Sequence, residues 1–375
     1  MDKPVKQRQS ILSGRHRALG SDLQQAWNDM PIPQNYATDP YDEIAAVRYR
    51  AGLIDVSALK IVNVSGPEAA KFLDYLLTTN VSRIAAGQSH ISNIVDDHGS
   101  LIDDVLVYCD GPNRFRVSHG GGALEDVMPS VAERFNVQWA RDEDVHILSL
   151  QGPLALEVLN PHASMDLGKI TYFTHQRTQL FGKDVSIARG GYSGERGYEV
   201  FCSSGDAIEL WDKILAAGKE HGVIATSWTC LDIGRVEAGL LFFPFDMTHG
   251  DTTPYEVRAD WTIDLDKPDF RGKGGLIKRR GKERSYIAGL EVDSAEAMTP
   301  LAKVFAGGHE VGVVTSAAYS KHLMKSIAMA QLVPSHTRLG TAVEIHDGVK
   351  SYPATVVRIP FYDPLRLRTH PLSER

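Results

Sequence analysis

The stretch HGSLIDDVLVY places two carboxylates, Asp103 and Asp104, inside an otherwise apolar run with strand character. Successive strand side chains point to opposite faces, so at most one of the pair can meet a given cavity. A carboxylate held there can act as a general base or electrostatic stabiliser with an altered proton affinity. The alternative is a solvated rim near Gly99, because buried unpaired carboxylates are costly. A second stretch, GGYSGERGYEV, sets Tyr192 and Glu199 among four glycines. Its spacing is not GxGxxG, and YEVFCS reads as a strand where a dinucleotide loop needs a helix, which excludes a phosphate cradle. Glu199 stands among apolar neighbours and must find donors, and an amidine-like ligand edge would supply two in parallel. A glycine-rich β-turn without function is the other reading. The third candidate is Arg235 in LDIGRVEAGLLF, suited to a ligand carboxylate or to an ion pair with Asp232, Glu237 or another acid. The run KPDFRGKGGLIKRRGKER reads as solvated, mobile surface, or as attraction for a polyanionic ligand tail. His90, His98, His119 and His249 show neither HxxxH nor HExxH spacing, so no metal centre is expected, and no GxSxG elbow is present.

The elements that must hold these residues follow from periodicity. From Asp42, EIAAVRYRAGL has helical spacing and DVSALKIVNVSG turns to strand-like alternation. Ser65, Pro67 and Glu68 carry a Ser-x-x-Glu helix start ahead of FLDYLLTTN. LIDDVLVYC and RFRVSH flank the turn DGPN as a hairpin, ALEDVMPSVAERF is helical, and VHILSLQGP is a buried-type strand. GKDVSIARGG and GYEVFCS are strands, AIELWDKILAAGKEHG is a helix, and LDIGRVEAGLLF is a shorter one. From about Ser285 the chain becomes short β runs separated by turns. Hairpins in place of strict β-α-β alternation predict an α+β architecture with antiparallel sheets. Residues 1 to about 40 read as an irregular arm.

At 375 residues and 43 % hydrophobic, the chain exceeds the usual single-domain limit. A net charge of −7 and a pI near 6.1 argue against nucleic-acid or anionic-membrane binding. Cys109, Cys202 and Cys230 have no CxxC spacing, so neither a disulfide framework nor a thiolate site is expected. The start lacks the apolar core of a secretory signal, and no run approaches the ~20 residues of a membrane span. A soluble, cytoplasmic protein is expected.

In chain order, AGLIDVSALKIVNVSGPEAAKFLDYLLTTNV, DDHGSLIDDVLVY, SLQGP, GGYSGERGYEV, LDIGRVEAGL, ADWTIDLDKPDFRGKGGL and GVVTSAAYSKHLMKSIAMA resemble the glycine-cleavage T-protein, or aminomethyltransferase, family. The resemblance implies a tetrahydrofolate-dependent one-carbon transferase with three domains around a central folate channel. Residues 1–55 plus 145–280 would form the folate-binding α+β domain, 56–144 a second α+β domain, and 281–375 a β-rich domain. Carried over by position, it makes Asp103 the catalytic carboxylate, Tyr192 a wall of the pterin pocket, Glu199 a two-point acceptor for the pterin N–H edge, and Arg235 a further pocket residue. The glycines of 190–197 would then let backbone approach the flat pterin. The chain departs from the family pattern at Ala58, where histidine is usual, at Ile91, where tyrosine is usual, and in VSHGGG. These departures fall on the half that receives a lipoyl-bound aminomethyl group. The expected activity is therefore transfer of a one-carbon group from a small N-, O- or S-methyl compound to folate N5. A glycine-cleavage aminomethyltransferase needing a lipoyl carrier protein, and a non-catalytic folate binder, are the alternatives.

Overall fold

The computed structural model describes residues 8–247 and 249–372; the first seven residues of the basic arm lie outside the described residues. Contacts divide the chain into two units. One comprises the chain through Ile61, Arg141–Gly234 and the stretch from Leu365; the other comprises Val62–Ala140 and Arg235–Pro364.

The first unit is built on a six-stranded sheet in the order His175–Leu180, Lys183–Arg189, Gly197–Ser203, Val145–Gln151, Gly52–Asp55 and Ile224–Ala225. All its neighbours are antiparallel except the last pair. Leu53, Leu148, Ile187, Val200, Trp211 and Ile214 form its core. Helix Pro40–Tyr49 starts where expected, because Asp39 accepts from the Tyr41 amide and proline occupies the first turn. From Arg8 onward the arm holds more regular structure than its sequence implied. Helix Ser13–Ala18 brings buried His16 to 2.9 Å from Asp55, with the Tyr36 hydroxyl 2.8 Å from the other ring nitrogen. Burial opposes ionisation of Asp55, but hydrogen bonds from His16 and Ser57 hold it at about 2. Arg8 and Asn28 also reach the Ala58 carbonyl.

In the second unit, strands Ser89–Val95, Leu101–Gly111, Arg114–His119, Lys60–Ser65 and Gln138–Arg141 form a five-stranded sheet. Helices Ala69–Leu76 and Leu124–Ala132 cover it through Phe72, Leu73, Leu124 and Met128, which pack against Val105, Val107 and Val117. The expected capping box does not form. Ser65 ends a strand, and Glu68 makes no side-chain cap but accepts from the Asn136 amide at 2.9 Å and pairs with Lys71. Tyr286–Val292, Lys303–Ala306, His309–Ser320, Lys325–Leu332, Ala342–His346 and Ser351–Val357 close into a barrel. The α+β class, the antiparallel sheets and the β-rich C-terminal part are as the sequence implied.

Residues 235–280, expected with the first domain, cluster with the second unit, and the stretch from Leu365 clusters with the first. A side-chain cause is the basic run, which is not simply solvated. Lys267 is buried, and its ammonium donates to the carbonyls of Leu77 and Thr79 at 2.7 and 2.8 Å. Among the described residues no helix is long and apolar enough to cross a membrane.

Candidate active site

Strand Leu101–Gly111 carries Asp103 and Asp104 on opposite faces. Asp103 shares its face with Val105 and Val107, the helix-covered side, and is fully buried. One carboxylate oxygen accepts from the Leu124 amide at 3.0 Å and lies 3.1 Å from His119 Nδ1; the other has no hydrogen-bond partner among the described residues. A Cβ at Gly122 would lie 2.1 Å from the Asp103 carboxyl carbon, so this glycine exists to make room for it. Asp103, which the resemblance made the catalytic carboxylate, is thus enclosed by its own unit. Asp104 points the other way and keeps part of its surface open. Burial of its carboxyl, and next the charge of Asp103, push it up to about 7, while His119 pulls it down. A carboxyl poised near neutrality can both take and return a proton.

In the first unit the 190–197 loop joins strands Lys183–Arg189 and Gly197–Ser203. Its glycines have a physical reason that the sequence hid. A Cβ at Gly191 or Gly197 would lie 2.1 Å from the Gln151 amide nitrogen. Gln151 is fully buried and donates to Ser149 Oγ and the Gly190 carbonyl, while accepting from Ser193 Oγ at 2.6 Å. These two glycines accommodate Gln151, a cause the sequence did not reveal; Gly194, at φ 76°, needs its freedom for the turn. Arg48, buried in helix Pro40–Tyr49, donates to the Ser193 carbonyl at 2.8 Å and pairs with Glu195 at 3.4 Å. These contacts tie the loop to its own unit, and Tyr192 and Glu199 are left half-buried on it and on the strand that follows. Burial raises the Tyr172 phenol, the Arg366 charge pulls it down, and the Glu199 charge adds to the rise.

Arg235 is buried, and its guanidinium donates to Asp246 at 2.8 Å, Ser316 Oγ at 2.9 Å and the Leu240 carbonyl. Where the sequence reading expected a ligand carboxylate in the folate pocket, the protein supplies Asp246, in line with the internal pair that was the alternative. Thr315 and Ser316 donate to the same Asp246. Sequence reasoning missed Gln151, Arg48, Tyr172 and Asp246; only SLQGP, read as a strand end, held a signal for the first. His119 is settled beside Asp103, and His90 lies near Trp261, with ring centres 6.0 Å apart.

Residues 12–267 match the GCVT N-terminal domain, and residues 286–363 match the glycine cleavage T-protein C-terminal barrel domain. The chain belongs to the glycine cleavage T-protein family. It is 40 % identical over 364 residues, 95 % of this chain and 96 % of the relative, to the heme-dependent oxidative N-demethylase gamma subunit of Ectopseudomonas mendocina (strain ymp). It is 35 % identical over 365 residues, 95 % of this chain and 98 % of the relative, to an aminomethyltransferase of Saccharopolyspora erythraea. The crystal structure of the glycine cleavage system aminomethyltransferase T from Bartonella henselae superposes with a TM-score of 0.88 at 26 % identity, over 95 % of this chain and 98 % of that one. T-protein family members use tetrahydrofolate as the one-carbon acceptor.

Proposed function

We propose that this T-protein relative takes a one-carbon unit derived from a small N-methyl compound into tetrahydrofolate, with Asp104 as the reacting carboxylate. The observation that favours a demethylation role is the near-full-length 40 % identity to an N-demethylase gamma subunit, above the 35 % and 32 % of two aminomethyltransferases. Ala58, where T-proteins usually have histidine, points the same way. Oxidative removal of an N-methyl group leaves its carbon at the oxidation level of formaldehyde. The natural partner is then a subunit that performs that oxidation, as the relative's own description as a subunit suggests.

Tetrahydrofolate, when bound, supplies the two nitrogens that take up the carbon, with release of water when the carbon arrives as formaldehyde. Glu199 offers two acceptor oxygens to an amino and ring N–H edge, and Tyr192 contributes a flat apolar wall. Asp104 takes the proton that a nitrogen loses as it forms its new bond, and returns it to the departing oxygen or amine. Its position near neutrality suits both halves of that transfer.

The test is to incubate the protein with tetrahydrofolate and, separately, labelled formaldehyde, methylated amines, thioethers, aryl methyl ethers and an aminomethyl-loaded lipoyl carrier, and to weigh the folate by mass spectrometry. Capture of labelled formaldehyde as 5,10-methylene-tetrahydrofolate, well above the spontaneous rate, is expected. A methyl compound that gives 5-methyl-tetrahydrofolate directly would replace oxidised carbon by methyl transfer. Product with the lipoyl carrier alone would establish the aminomethyltransferase reading, and folate binding without any product would establish a binding protein.

A further inference from the structure

The segment VSHGGG, at which this chain leaves the family pattern, ends strand Arg114–His119 with an imidazole held between two acids. His119 Nδ1 lies 3.1 Å from Asp103 and Nε2 lies 3.5 Å from Glu125. Asp103 and His119 are fully buried, whereas the Glu125 side chain keeps 26 % of its surface open in the first turn of helix Leu124–Ala132. The loop between them is clamped. The Ala123 amide donates to the Ile102 carbonyl at 3.0 Å, the Leu124 amide donates to Asp103, and Gly122 has no room for a side chain. A buried acid, a buried imidazole and a partly open acid thus form a line that starts directly behind Asp104.

We propose that Asp103, His119 and Glu125 are a positioning chain that fixes the charge behind Asp104 and thereby its readiness to exchange a proton. The proposal rests on Asp104 being the reacting carboxylate. The charged groups acting on Asp104 are Asp103 in its own strand, His119 on the neighbouring strand, and Asp246, which is itself paired with Arg235. Asp103 and Glu125 both face His119, one at each ring nitrogen. Asp103 and His119 act on Asp104 with opposite signs: the acid raises it and the imidazole lowers it. Removing His119 leaves the Asp103 charge uncompensated beside Asp104, and removing that charge relieves Asp104. The two changes therefore push in opposite directions, which a merely structural role for the chain would not do.

The experiment follows the carboxyl carbon of Asp104 by NMR in protein labelled at aspartate, with the resonance assigned by its loss in Asp104→Asn, alongside the pH profile of kcat/KM. His119→Gln is expected to raise the midpoint of Asp104 by about one pH unit, and Asp103→Asn to lower it by a similar amount. Should Asp103→Asn fail to fold, Glu125→Gln on the rim replaces it; it takes an acid away from His119 and is expected to raise the midpoint, and a midpoint it leaves unmoved overturns the proposal. Unmoved midpoints, or shifts of the two main variants in the same direction, overturn the proposal. If midpoints move as expected while the pH profile of turnover stays fixed, the chain stands and Asp104 is not the reacting group.

Discussion

Replacing Asp104 with asparagine should stabilise the protein at alkaline pH while abolishing turnover. Burial and the neighbouring Asp103 charge hold Asp104 at about 7 in the folded chain, against an ordinary 3.8. Between those values the folded chain keeps a proton that the unfolded chain has released. Stability therefore falls as pH rises through this window, and the whole penalty is present above it. The span is about three pH units at about 1.4 kcal/mol each, a ceiling of about 4 kcal/mol. Asp104 keeps part of its surface open and water screens it, so ~1–2 kcal/mol is the expected size. Asparagine cannot ionise and removes the penalty. Urea unfolding of both proteins near pH 4 and pH 8 reads it directly: near-equal stability at the lower pH, and a variant more stable by ~1–2 kcal/mol at the higher. A variant no more stable than the parent at pH 8 would refute the claim that the fold holds this carboxyl away from ionisation.

Other outcomes follow from the same geometry. Gly197→Ala drives a Cβ into the buried Gln151 amide and should cost ~1–3 kcal/mol, with much of that loss recovered in the Gly197→Ala, Gln151→Ala double variant, both read by thermal unfolding. Arg235→Met leaves Asp246 buried without its cation and should cost ~3–5 kcal/mol; a variant of unchanged stability that no longer binds folate would instead restore a pocket role for Arg235. Cys109, Cys202 and Cys230 are buried thiols outside any disulfide, and burial pushes the Cys202 thiol up to about 12, so a thiol reagent should titrate none rapidly in the native protein and all three after denaturation.

The strands and helices were legible because period-two runs and turn residues punctuate them, and the barrel announced itself as a series of short β segments. The grouping of those elements was not legible, since it depends on contacts such as Lys267 to carbonyls near residue 78, made almost 190 positions apart. The choice between Asp103 and Asp104 was hidden for a different reason. Apolar residues flank both, Val105 and Val107 on one face and Leu106 and Tyr108 on the other, so alternation could not tell which face the helices cover. That Gly191 and Gly197 make room for Gln151 was not legible, because Gln151 lies some 40 residues earlier, on a separate strand. Arg235 was expected to seek a carboxylate, and it has one; that Asp246 would provide it depends on the path of an irregular segment no periodicity describes.

The central claim is that Asp104, and not Asp103, carries the proton transfer of a folate-dependent reaction. The most direct test is to measure tetrahydrofolate affinity by calorimetry, and single-turnover capture of labelled formaldehyde above the spontaneous rate, for the parent, Asp104→Asn and Asp103→Asn. The account predicts that Asp104→Asn binds tetrahydrofolate within a few-fold of the parent and loses the enzymic rate by about 100-fold or more, while Asp103→Asn loses stability but retains capture. Full capture by Asp104→Asn, or loss of capture confined to a stably folded Asp103→Asn, would contradict it.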